Sequence, residues 1–408
     1  MKSIKNFSTL PKSILSCRTS KLRCPTAKDA PRRAFIGMSG GVDSSVSALL
    51  LKKAGYDVTG VFIKTWSPEW LAQLRRGSAG QACNWREERR DAIRVAAHIG
   101  IPLITLDLEK EYKREVADYM IAEYRVGRTP NPDVMCNKKV KFGAFYDWAI
   151  KTGADIVATG HYAQIQEAKL PLGSLASKLL MGKDLNKDQS YFLWTIKQEQ
   201  LAHILFPIGH LKKDEVREIA RENNLPVAEK KDSQGVCFLG VVDMKEFLKH
   251  YIKTEPGNVL NESGQTIGTH DGAVLYTLGE RHGFTILARS LPAVVPPLGG
   301  GTAKERLFVI SKDIRQNTIT VSKHRPVEVF AKKEFELKDV NWLAGEYPNP
   351  AKSYLARVRY RQDLQKIKLI SLDDRTAKLE FEHAQAVDAG QSVVIYDGKV
   401  CLGGGVVK

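Results

Sequence analysis

A strand, a pair of glycines and a helix follow one another near the start of the chain, and no other stretch constrains the fold as strongly. Ala34–Met38 is apolar and predicts a buried strand, and Ser39–Ser45 predicts a tight turn. Val46–Lys53 has helical spacing and is followed by Gly55, a residue type favoured just after a helix. This order aims backbone N–H groups and a helix N-terminus at an anion. A Gly-rich turn with an ordinary helix start is the simpler alternative.

The residue types in this turn match a phosphate site. Gly40 and Gly41 allow the backbone to approach a phosphate closely, and the neighbouring serines add hydroxyl groups. Asp43 would repel a phosphate unless it held a cation, so it indicates Mg²⁺ beside the phosphates. The G-x-x-x-x-G-K-[ST] pattern and its lysine are absent. The run Ser39–Ser44 instead resembles the loop of the PP-loop ATP pyrophosphatases, enzymes that cleave ATP to AMP and pyrophosphate.

Strands and helices alternate over the first half of the chain. The predicted strands after the first are Asp57–Lys64, Ile101–Leu106 and Ala154–Thr159, and the predicted helices between them are Arg86–Ile99 and Glu109–Tyr124. Alternation of this kind predicts an α/β domain with a doubly wound parallel sheet. Ligands of such sheets bind at the carboxyl ends of the strands, where Ser39–Ser45, Lys64–Trp66 and Gly160–Tyr162 fall.

The residue composition and the predicted secondary structure change after Gly257. Charged amphipathic helices are predicted over Lys212–Asn223 and Asp243–Tyr251, but beyond them Gly and Pro are frequent and short strand-like runs recur. The last hundred or so residues therefore predict a small β-barrel. The expected organisation is a basic segment (1–33), an ATP-binding domain (34–242), a central domain (243–308) and a C-terminal β-barrel (309–408).

The chain is strongly basic, which favours a polyanionic partner such as nucleic acid. The 408 residues carry a net charge of +16, and residues 1–33 contribute nine Lys or Arg against one acid. This segment is also rich in Ser and Thr and lacks a long apolar core, so it predicts a mitochondrial transit peptide and a location in the matrix. A disordered basic tail that contacts RNA is the alternative. No stretch is apolar enough to predict insertion in a membrane.

Two of the six cysteines have unusual surroundings. Cys136 lies in a loop with two prolines and precedes three lysines, and Cys237 follows two lysines and is flanked by glycines. Nearby cations lower the pKa of a thiol, so either could be a reactive thiolate. The simpler alternative for each is a buried structural thiol. The sequence contains no C-x-x-C pair, and a disulfide framework is not expected in a chain of this size without a secretory signal.

Seven motifs together resemble the tRNA-specific 2-thiouridylases, and the basic extension resembles the mitochondrial branch of that family. The resemblance runs from about Arg33 to the C-terminus, in the order that the family has. The motifs are Gly37–Ser45, Gly127–Phe142, Ala158–Tyr162, Asn186–Leu193, Lys231–Gly240, Tyr276–Arg281 and Cys401–Gly405.

The resemblance implies an ATP-dependent exchange of sulfur for oxygen at the 2-position of the wobble uridine in mitochondrial tRNAs for Lys, Glu and Gln, after adenylation of the 2-oxo group. Cys237 matches the cysteine that carries sulfur as a persulfide, and Cys136 matches the nucleophile that attacks the persulfide or releases sulfide, after which the two form a disulfide. Asp133 matches a general acid or base. The residues that match ATP contacts are Gly37, Met38, Ser39, Gly40, Gly41, Val42, Asp43, Ser44, Ile63 and Gly160.

The implied partners are tRNA and a persulfide donor protein of the cysteine desulfurase pathway. Positions that match tRNA contacts are Asn131, Pro132, Asp133, His161, Lys187, Asp188, Gln189, Arg359, Tyr360 and Gln391. Two other functions stay open from the residues alone. One is a PP-loop ligase or amidotransferase that adenylates a small molecule, and the other is an RNA-binding protein without catalytic activity.

Overall fold

A five-stranded parallel sheet forms the first part of the protein in the computed structural model. Its strand order is β3-β2-β1-β4-β7, with every neighbouring pair parallel. Numbered along the chain, these strands are β1 Arg33–Gly37, β2 Asp57–Lys64, β3 Leu103–Asp107, β4 Ile156–Ala158 and β7 Ile204–Leu205. The structure describes residues 31–70, 85–169, 175–232, 243–287, 306–329 and 331–408.

Helices cover both faces of this sheet, which confirms the predicted doubly wound α/β fold. Phe35, Val61 and Val157 point into a core on one face, whereas Ile36, Phe62 and Ile156 point into a second core on the other. This alternation follows from the period of two along a strand. The helices of the domain are α1 Val42–Lys53, α2 Trp85–Ile99, α3 Glu109–Tyr112, α4 Tyr119–Arg125, α5 Pro132–Met135, α6 Tyr146–Lys151, α7 Gln198–Leu201 and α8 Lys213–Glu222.

Two of the helical stretches contain π-helical segments, which the periodicity of the sequence did not predict. The segment π1, Lys113–Asp118, joins α3 to α4, and the segment π2, Cys136–Phe145, joins α5 to α6. Their apolar residues are buried, so packing against each other and against the sheet stabilises the wider turns. π-helical turns are often found at functional sites, and π2 begins at a candidate catalytic cysteine.

A hairpin of the first domain continues the sheet of the C-terminal barrel. Its strands are β5 Ala163–Lys169 and β6 Leu175–Met181, which pair antiparallel. The pairs Val400–Leu180 and Cys401–Leu179 then join β6 to a barrel strand. The first domain and the barrel therefore share one hydrogen-bonded sheet.

The central domain is a five-stranded sheet next to the helix α9, Met244–Lys249. The strand order is β10-β9-β8-β12-β11, with β8 Gly257–Leu260, β9 Thr266–His270, β10 Phe284–Ile286, β11 Phe308–Asp313 and β12 Thr318–Ser322. The sequence predicts the boundary with the barrel at residue 308. Because β11 and β12 pair inside the central sheet, that boundary is too early, and the central domain continues to about Ser322.

The C-terminal domain is a closed six-stranded barrel, as the sequence predicted. Its strands are β13 Lys332–Trp342, β14 Ser353–Arg357, β15 Gln365–Leu372, β16 Thr376–Gln385, β17 Ser392–Asp397 and β18 Val400–Val407, and the short helix α10, Pro326–Val329, precedes them. Pairing of β13 with both β16 and β18 closes the barrel. Among the described residues, no helix is long and apolar enough to cross a membrane.

Candidate active site

The turn after β1 presents the start of α1 to the crevice between β1 and β4. Gly41 is the N-cap of this twelve-residue helix, and no side chain caps its first turn. Ser44 and Ser45 instead donate their hydroxyls to the Gly41 carbonyl oxygen, at 3.2 and 2.7 Å. The helix therefore begins at Val42, four residues earlier than the apolar spacing predicted. An uncapped helix start of this kind binds anions through its N–H groups.

The loop after β4 packs directly on this helix start. A Cβ atom at Gly160 would lie 2.7 Å from the backbone nitrogen of Ser44, so only glycine permits the contact. Ile63 lies near the end of the neighbouring strand β2 and is partly buried. The side chains of Met38 and Val42 are buried, so these two predicted ATP contacts are restricted to the backbone. The predicted ATP residues thus lie together where the strand order reverses, the usual ligand site of such sheets.

Gly40 has a strict structural role in the turn. Its φ is +73°, and a Cβ atom there would lie 2.2 Å from the carbonyl oxygen of Glu88 in α2. A Cβ at Gly41 would lie 3.4 Å from the nearest atom, the Ser39 hydroxyl. We therefore expect Gly40→Ala to lower the free energy of unfolding by about 3 kcal/mol and Gly41→Ala by less than about 1 kcal/mol. Urea unfolding of both variants measures this, and equal losses would contradict it.

The carboxylate of Asp43 is held by two side chains from other parts of the domain. Lys213 Nζ donates to Oδ1 and Oδ2 of Asp43, at 2.7 and 2.9 Å, and the Tyr162 hydroxyl donates to Oδ1 at 2.8 Å. The Lys213 side chain is 10% exposed. Burial, together with the Asp43 charge, raises the pKa of Tyr162 well above its usual value, so its hydroxyl stays protonated and remains a donor.

Lys213 also links this carboxylate to a second one. Its Nζ lies 2.8 Å from Oδ1 of Asp232, which also accepts from Arg217, while Lys187 donates to Oδ2. Burial opposes ionisation of Asp232, but the hydrogen bonds and charges of Lys187 and Lys213 outweigh it and lower its pKa well below the usual range. Asp232 is the last described residue before 233–242, so the predicted site residue Cys237 lies outside the described residues.

The geometry at the start of α1 fits the phosphates of ATP, and the site contains one carboxylate that could bind a metal. Uncapped N–H groups, the exposed Ser39 hydroxyl and the missing side chain of Gly160 together provide donors and space for an anion. Mg²⁺ beside nucleotide phosphates needs one or two carboxylates, and Asp43 could supply one after exchanging Lys213 for the metal. Within the described residues, no group of three or more His, Cys, Asp or Glu side chains could hold a metal without phosphates.

Cys136 lies at the junction of α5 and π2 and is 5% exposed. The N-cap of α5 is Asn131, whose side-chain oxygen accepts from the backbone N–H of Val134. Two of the three lysines that follow Cys136 have their own partners, since Lys139 pairs with Glu115 at 3.3 Å and Lys141 lies 3.5 Å from His161 Nε2.

Cys401 is the other described cysteine, and its surroundings make it unreactive. It is 1% exposed in strand β18, and burial raises its pKa to about 12. A thiol with this pKa is protonated at neutral pH and is a poor nucleophile. Of the two described cysteines, Cys136 is therefore the candidate for chemistry.

Most of the predicted tRNA contacts converge at the junction of the first domain and the barrel. Tyr191 marks this junction, because its hydroxyl donates to the backbone oxygens of Val358 and Ser392, at 3.1 and 3.0 Å. Lys187 and Gln189 precede it in the chain, Arg359 and Tyr360 follow Val358, and Gln391 precedes Ser392. Arg359 is exposed, and Lys187, Gln189, Tyr360 and Gln391 are partly exposed. Asn131–Asp133 approaches the same junction, since Asn131 hydrogen-bonds with Tyr191.

Two predicted tRNA contacts are buried. Asp188 is fully buried, and its carboxylate accepts from Gly182 N, Ser190 and the Arg357 guanidinium, so the prediction that its side chain contacts tRNA is corrected to a structural role. His161 is 6% exposed and hydrogen-bonds through Nδ1 with the Thr159 hydroxyl at 2.7 Å. Burial lowers its pKa well below the usual value, so the imidazole is neutral and carries no charge for a phosphate.

Curated proteins similar to this chain cover nearly its whole length. The tRNA-specific 2-thiouridylase MnmA 2 of Geobacillus kaustophilus is 43% identical over 92% of this chain and 94% of its own length. The tRNA-specific 2-thiouridylases MnmA of Shouchella clausii and Enterococcus faecalis are each 44% identical, over 92% and 93% of this chain and 96% of their own lengths. This chain belongs to the tRNA-specific 2-thiouridylase family.

Three family models match successive parts of this 2-thiouridylase. Residues 32–241 match a model described as a tRNA methyl transferase HUP domain, and residues 245–323 match a tRNA methyl transferase PRC-barrel domain. Residues 332–407 match an aminomethyltransferase beta-barrel domain. Among solved structures, a 4-thiouridine synthetase bound to RNA and ATP covers 54% of this chain at 21% identity with a TM-score of 0.31.

Three residues of the 2-thiouridylase site were not among the predicted site residues. Lys213 lies at the start of α8, in a stretch that resembles an ordinary charged helix, and it meets Asp43 across 170 positions of sequence. Asp232 lies inside the motif Lys231–Gly240, and Tyr191 lies inside the motif Asn186–Leu193. A local signal existed for the last two, because both belong to motifs of the family, but none existed for Lys213.

Asp133, which the sequence predicts to be a general acid or base, lies in an environment that disfavours its charged form. Burial raises its pKa, and Lys141 offsets this in part. A carboxyl with a raised pKa lowers stability at pH values above that pKa and has no such effect below its unfolded value. We therefore expect Asp133→Asn to be more stable than wild type at pH 7 and the difference to vanish as the pH falls through the two pKa values. Melting temperatures from pH 3 to 8 measure this, and a variant less stable at pH 7 would contradict it.

Proposed function

We propose that this protein replaces the 2-oxygen of the wobble uridine in tRNA by sulfur, at the expense of ATP. The observation that carries the proposal is the combination of the Ser39–Ser45 loop at an uncapped helix start with a buried cysteine at the junction of α5 and π2, in a chain 43% identical to 2-thiouridylases along their length. The tRNAs for Lys, Glu and Gln are the proposed substrates.

Activation of the uridine comes first in the proposed reaction. The oxygen at C2 attacks the α-phosphorus of ATP, and pyrophosphate leaves. This step is needed because an unmodified carbonyl oxygen is a poor leaving group, whereas the AMP formed on it is a good one. The N–H groups at the start of α1 hold the phosphates, and the Ser39 hydroxyl lies exposed beside them. Mg²⁺, when bound through Asp43, would neutralise charge on the departing pyrophosphate.

Sulfur transfer uses two thiols. The terminal sulfur of a persulfide on Cys237 attacks C2, and AMP departs with the original oxygen. The Cys136 thiolate then attacks the inner sulfur on Cys237, the S–S bond to the transferred sulfur breaks, and a Cys136–Cys237 disulfide remains. A cellular dithiol reduces that disulfide, and a persulfide donor of the cysteine desulfurase pathway reloads Cys237. Asp133 takes or gives the accompanying proton.

The partly exposed residues around Tyr191 form the proposed contact for the anticodon arm. Lys187 and Arg359 supply positive charge, and the Tyr360 ring offers a face for stacking. The uridine must leave the anticodon stack to reach the phosphate loop, and single-stranded bases of RNA are commonly held by aromatic and Arg side chains. This surface favours the tRNA substrate over a small-molecule ligase reaction.

One assay separates the proposed function from the two alternatives. The purified protein is incubated with ATP, Mg²⁺, a persulfide donor protein, a dithiol reductant and unmodified tRNA for Lys, and the nucleosides are analysed by mass spectrometry. The proposed function requires 2-thiouridine at the wobble position, with one pyrophosphate and one AMP for each sulfur. Pyrophosphate release without tRNA dependence would favour a small-molecule ligase, and tRNA binding without ATP cleavage would favour a non-catalytic RNA-binding protein.

Residues 1–33 are proposed to direct the protein to the mitochondrial matrix. The support is the charge of this segment, nine basic residues against one acid, and its content of Ser and Thr. We expect a fluorescent fusion of the full chain to be mitochondrial and a fusion starting at Ala34 to remain in the cytosol. The truncated enzyme should retain its affinity for tRNA within about twofold, because the segment would not contact RNA. Mitochondrial import of the truncated fusion, or a large loss of tRNA affinity, would contradict the proposal.

A further inference from the structure

Thr129 lies at the meeting point of all three domains and directly precedes residues 130–136, which contain the proposed catalytic residues Asp133 and Cys136. It is 8% exposed, and its backbone N–H donates to the Ala389 carbonyl oxygen at 2.9 Å. Its hydroxyl donates to Oδ2 of Asp388 at 2.7 Å. Ala389 and Asp388 belong to the barrel, in the connection between β16 and β17. One residue of the first domain is thus fixed to the barrel through both its backbone and its side chain.

The same oxygen of Asp388 accepts from the central domain. Lys312 Nζ, on strand β11, donates to Oδ2 at 2.7 Å and to the Tyr276 carbonyl oxygen at 3.0 Å. The side chains of this pair are 9% and 7% exposed. Separating the two domains would leave two buried charges without their partners, so the pair fixes the position of one domain relative to the other. Thr129 is attached to that pair.

Two glycines bring the backbones into contact around Thr129. Gly390 has a φ of +91°, and a Cβ atom there would lie 3.1 Å from the Thr129 carbonyl oxygen. Gly127 has a φ of +74°, and a Cβ there would lie 2.6 Å from Cγ1 of Ile314 in the central domain. The segment is therefore confined by the barrel on one side and by the central domain on the other.

The residues after Thr129 transmit its position to the reacting groups. Pro130 and Pro132 each have a restricted φ, and Asn131 caps the helix that contains Asp133 and leads to Cys136. A stretch with two prolines and a capped helix has few soft dihedral angles. A displacement of Thr129 is therefore expected to move Asp133 and Cys136 rather than to be absorbed between them.

We propose that Thr129 is a positioning residue for sulfur transfer: through it, the Lys312–Asp388 pair sets Asp133 and Cys136 in place once the barrel and the central domain are docked. This inference rests on the proposed function for its chemistry. The Lys312–Asp388 pair joins the central domain to the barrel, and neither of these domains contains the ATP loop. The proposed role accounts for the contact between this pair and the segment that leads to Cys136. Adenylation, which uses the Ser39–Ser45 loop, does not depend on this contact.

The test compares Thr129→Val with Thr129→Ser. Valine keeps the shape but removes the hydroxyl, and serine restores it. We expect Thr129→Val to lower the single-turnover rate of 2-thiouridine formation about tenfold, equivalent to about 1.4 kcal/mol. Its rate of pyrophosphate release and its dissociation constant for tRNA should stay within about twofold of wild type, and Thr129→Ser should recover most of the loss. A wild-type rate in Thr129→Val, or a loss shared by pyrophosphate release, would overturn the proposal.

Two further measurements separate positioning from stability and from the proposed function. The buried Ser322 donates a partly buried hydrogen bond to Glu262 in the central domain, away from residues 130–136. Ser322→Ala removes this bond and should lower the melting temperature about as much as Thr129→Val does, while thiolation stays unchanged. The alkylation rate of Cys136, followed by peptide mass spectrometry, should rise at least about threefold in Thr129→Val and not in Ser322→Ala. If wild type makes no 2-thiouridine, the proposed function fails, and the alkylation rates still decide the positioning: equal rates in all variants would refute it.

Discussion

Replacing Cys136 by alanine should abolish 2-thiouridine formation, with a loss of at least about a thousandfold, while pyrophosphate release stays within about threefold of wild type. The two activities separate because the phosphate loop lies after β1 and Cys136 lies at the start of π2, so no ATP contact is lost. Cys237→Ala should show the same separation. Mass spectrometry of the tRNA and a coupled pyrophosphate assay measure the two activities on the same samples.

Labelled sulfur distinguishes the roles of the two thiols. With a labelled persulfide donor, Cys136→Ala should accumulate label on Cys237, whereas Cys237→Ala should accumulate none. One turnover of wild type without reductant should leave a Cys136–Cys237 disulfide, and added dithiol should restore cycling.

The matched control for the thiol experiment is Cys401→Ala. Cys401 is 1% exposed, and burial raises its pKa to about 12, so its loss should leave both activities within about threefold. Thiolation by Cys237→Ala with a protein donor would contradict the assignment. Label found on Cys401 or Cys83 would show that the relay uses a different cysteine.

The phosphate loop could be predicted from sequence because its signal is local. The apolar run, the glycine pair and the following helix are adjacent, and parallel α/β topology then places the loop at the sheet edge. The start of the helix was predicted four residues late, because the polar residues Ser44 and Ser45 were assigned to the turn. In the structure their hydroxyls donate to the Gly41 carbonyl oxygen, and both residues lie in the first turn of the helix. The doubly wound sheet and the C-terminal barrel were predicted for the same local reasons.

Features that depend on distant residues were not predictable. Asp43 was expected to be available to a metal, but it accepts from Lys213 and Tyr162, which come from α8 and from the loop after β4. Asp188 was expected to contact tRNA because it matches a position that contacts tRNA in the family, yet its side chain is fully buried against Arg357. In both cases only the fold brings the partner into place, and neither periodicity nor motif spacing carries that information.

The largest effect on the first step is expected for Asp43→Asn. Pyrophosphate release should fall at least about a thousandfold, because an amide is a poor ligand for Mg²⁺ and the charge on the departing pyrophosphate loses its counter-ion. Affinity for tRNA should stay within about threefold, since the proposed RNA surface lies around Tyr191. Lys213 keeps its partner Asp232, so the free energy of unfolding should fall by only about 1–2 kcal/mol. Asp397→Asn, an exposed barrel carboxylate paired with Lys352, is the control and should release pyrophosphate at the wild-type rate.

Lys213 provides the test of why Asp43 is needed. If Asp43 serves only to hold Lys213, then Lys213→Met should cause the same loss as Asp43→Asn, and the effect should not depend on metal concentration. If Asp43 exchanges Lys213 for Mg²⁺ when ATP binds, removal of the competing cation should lower the Mg²⁺ concentration required for half-maximal pyrophosphate release, and Asp43→Asn should raise it. Pyrophosphate release by both variants, titrated with Mg²⁺, therefore decides between a structural ion pair and a metal ligand. We expect the two midpoints to move in opposite directions, and midpoints equal to that of wild type would refute the metal role of Asp43.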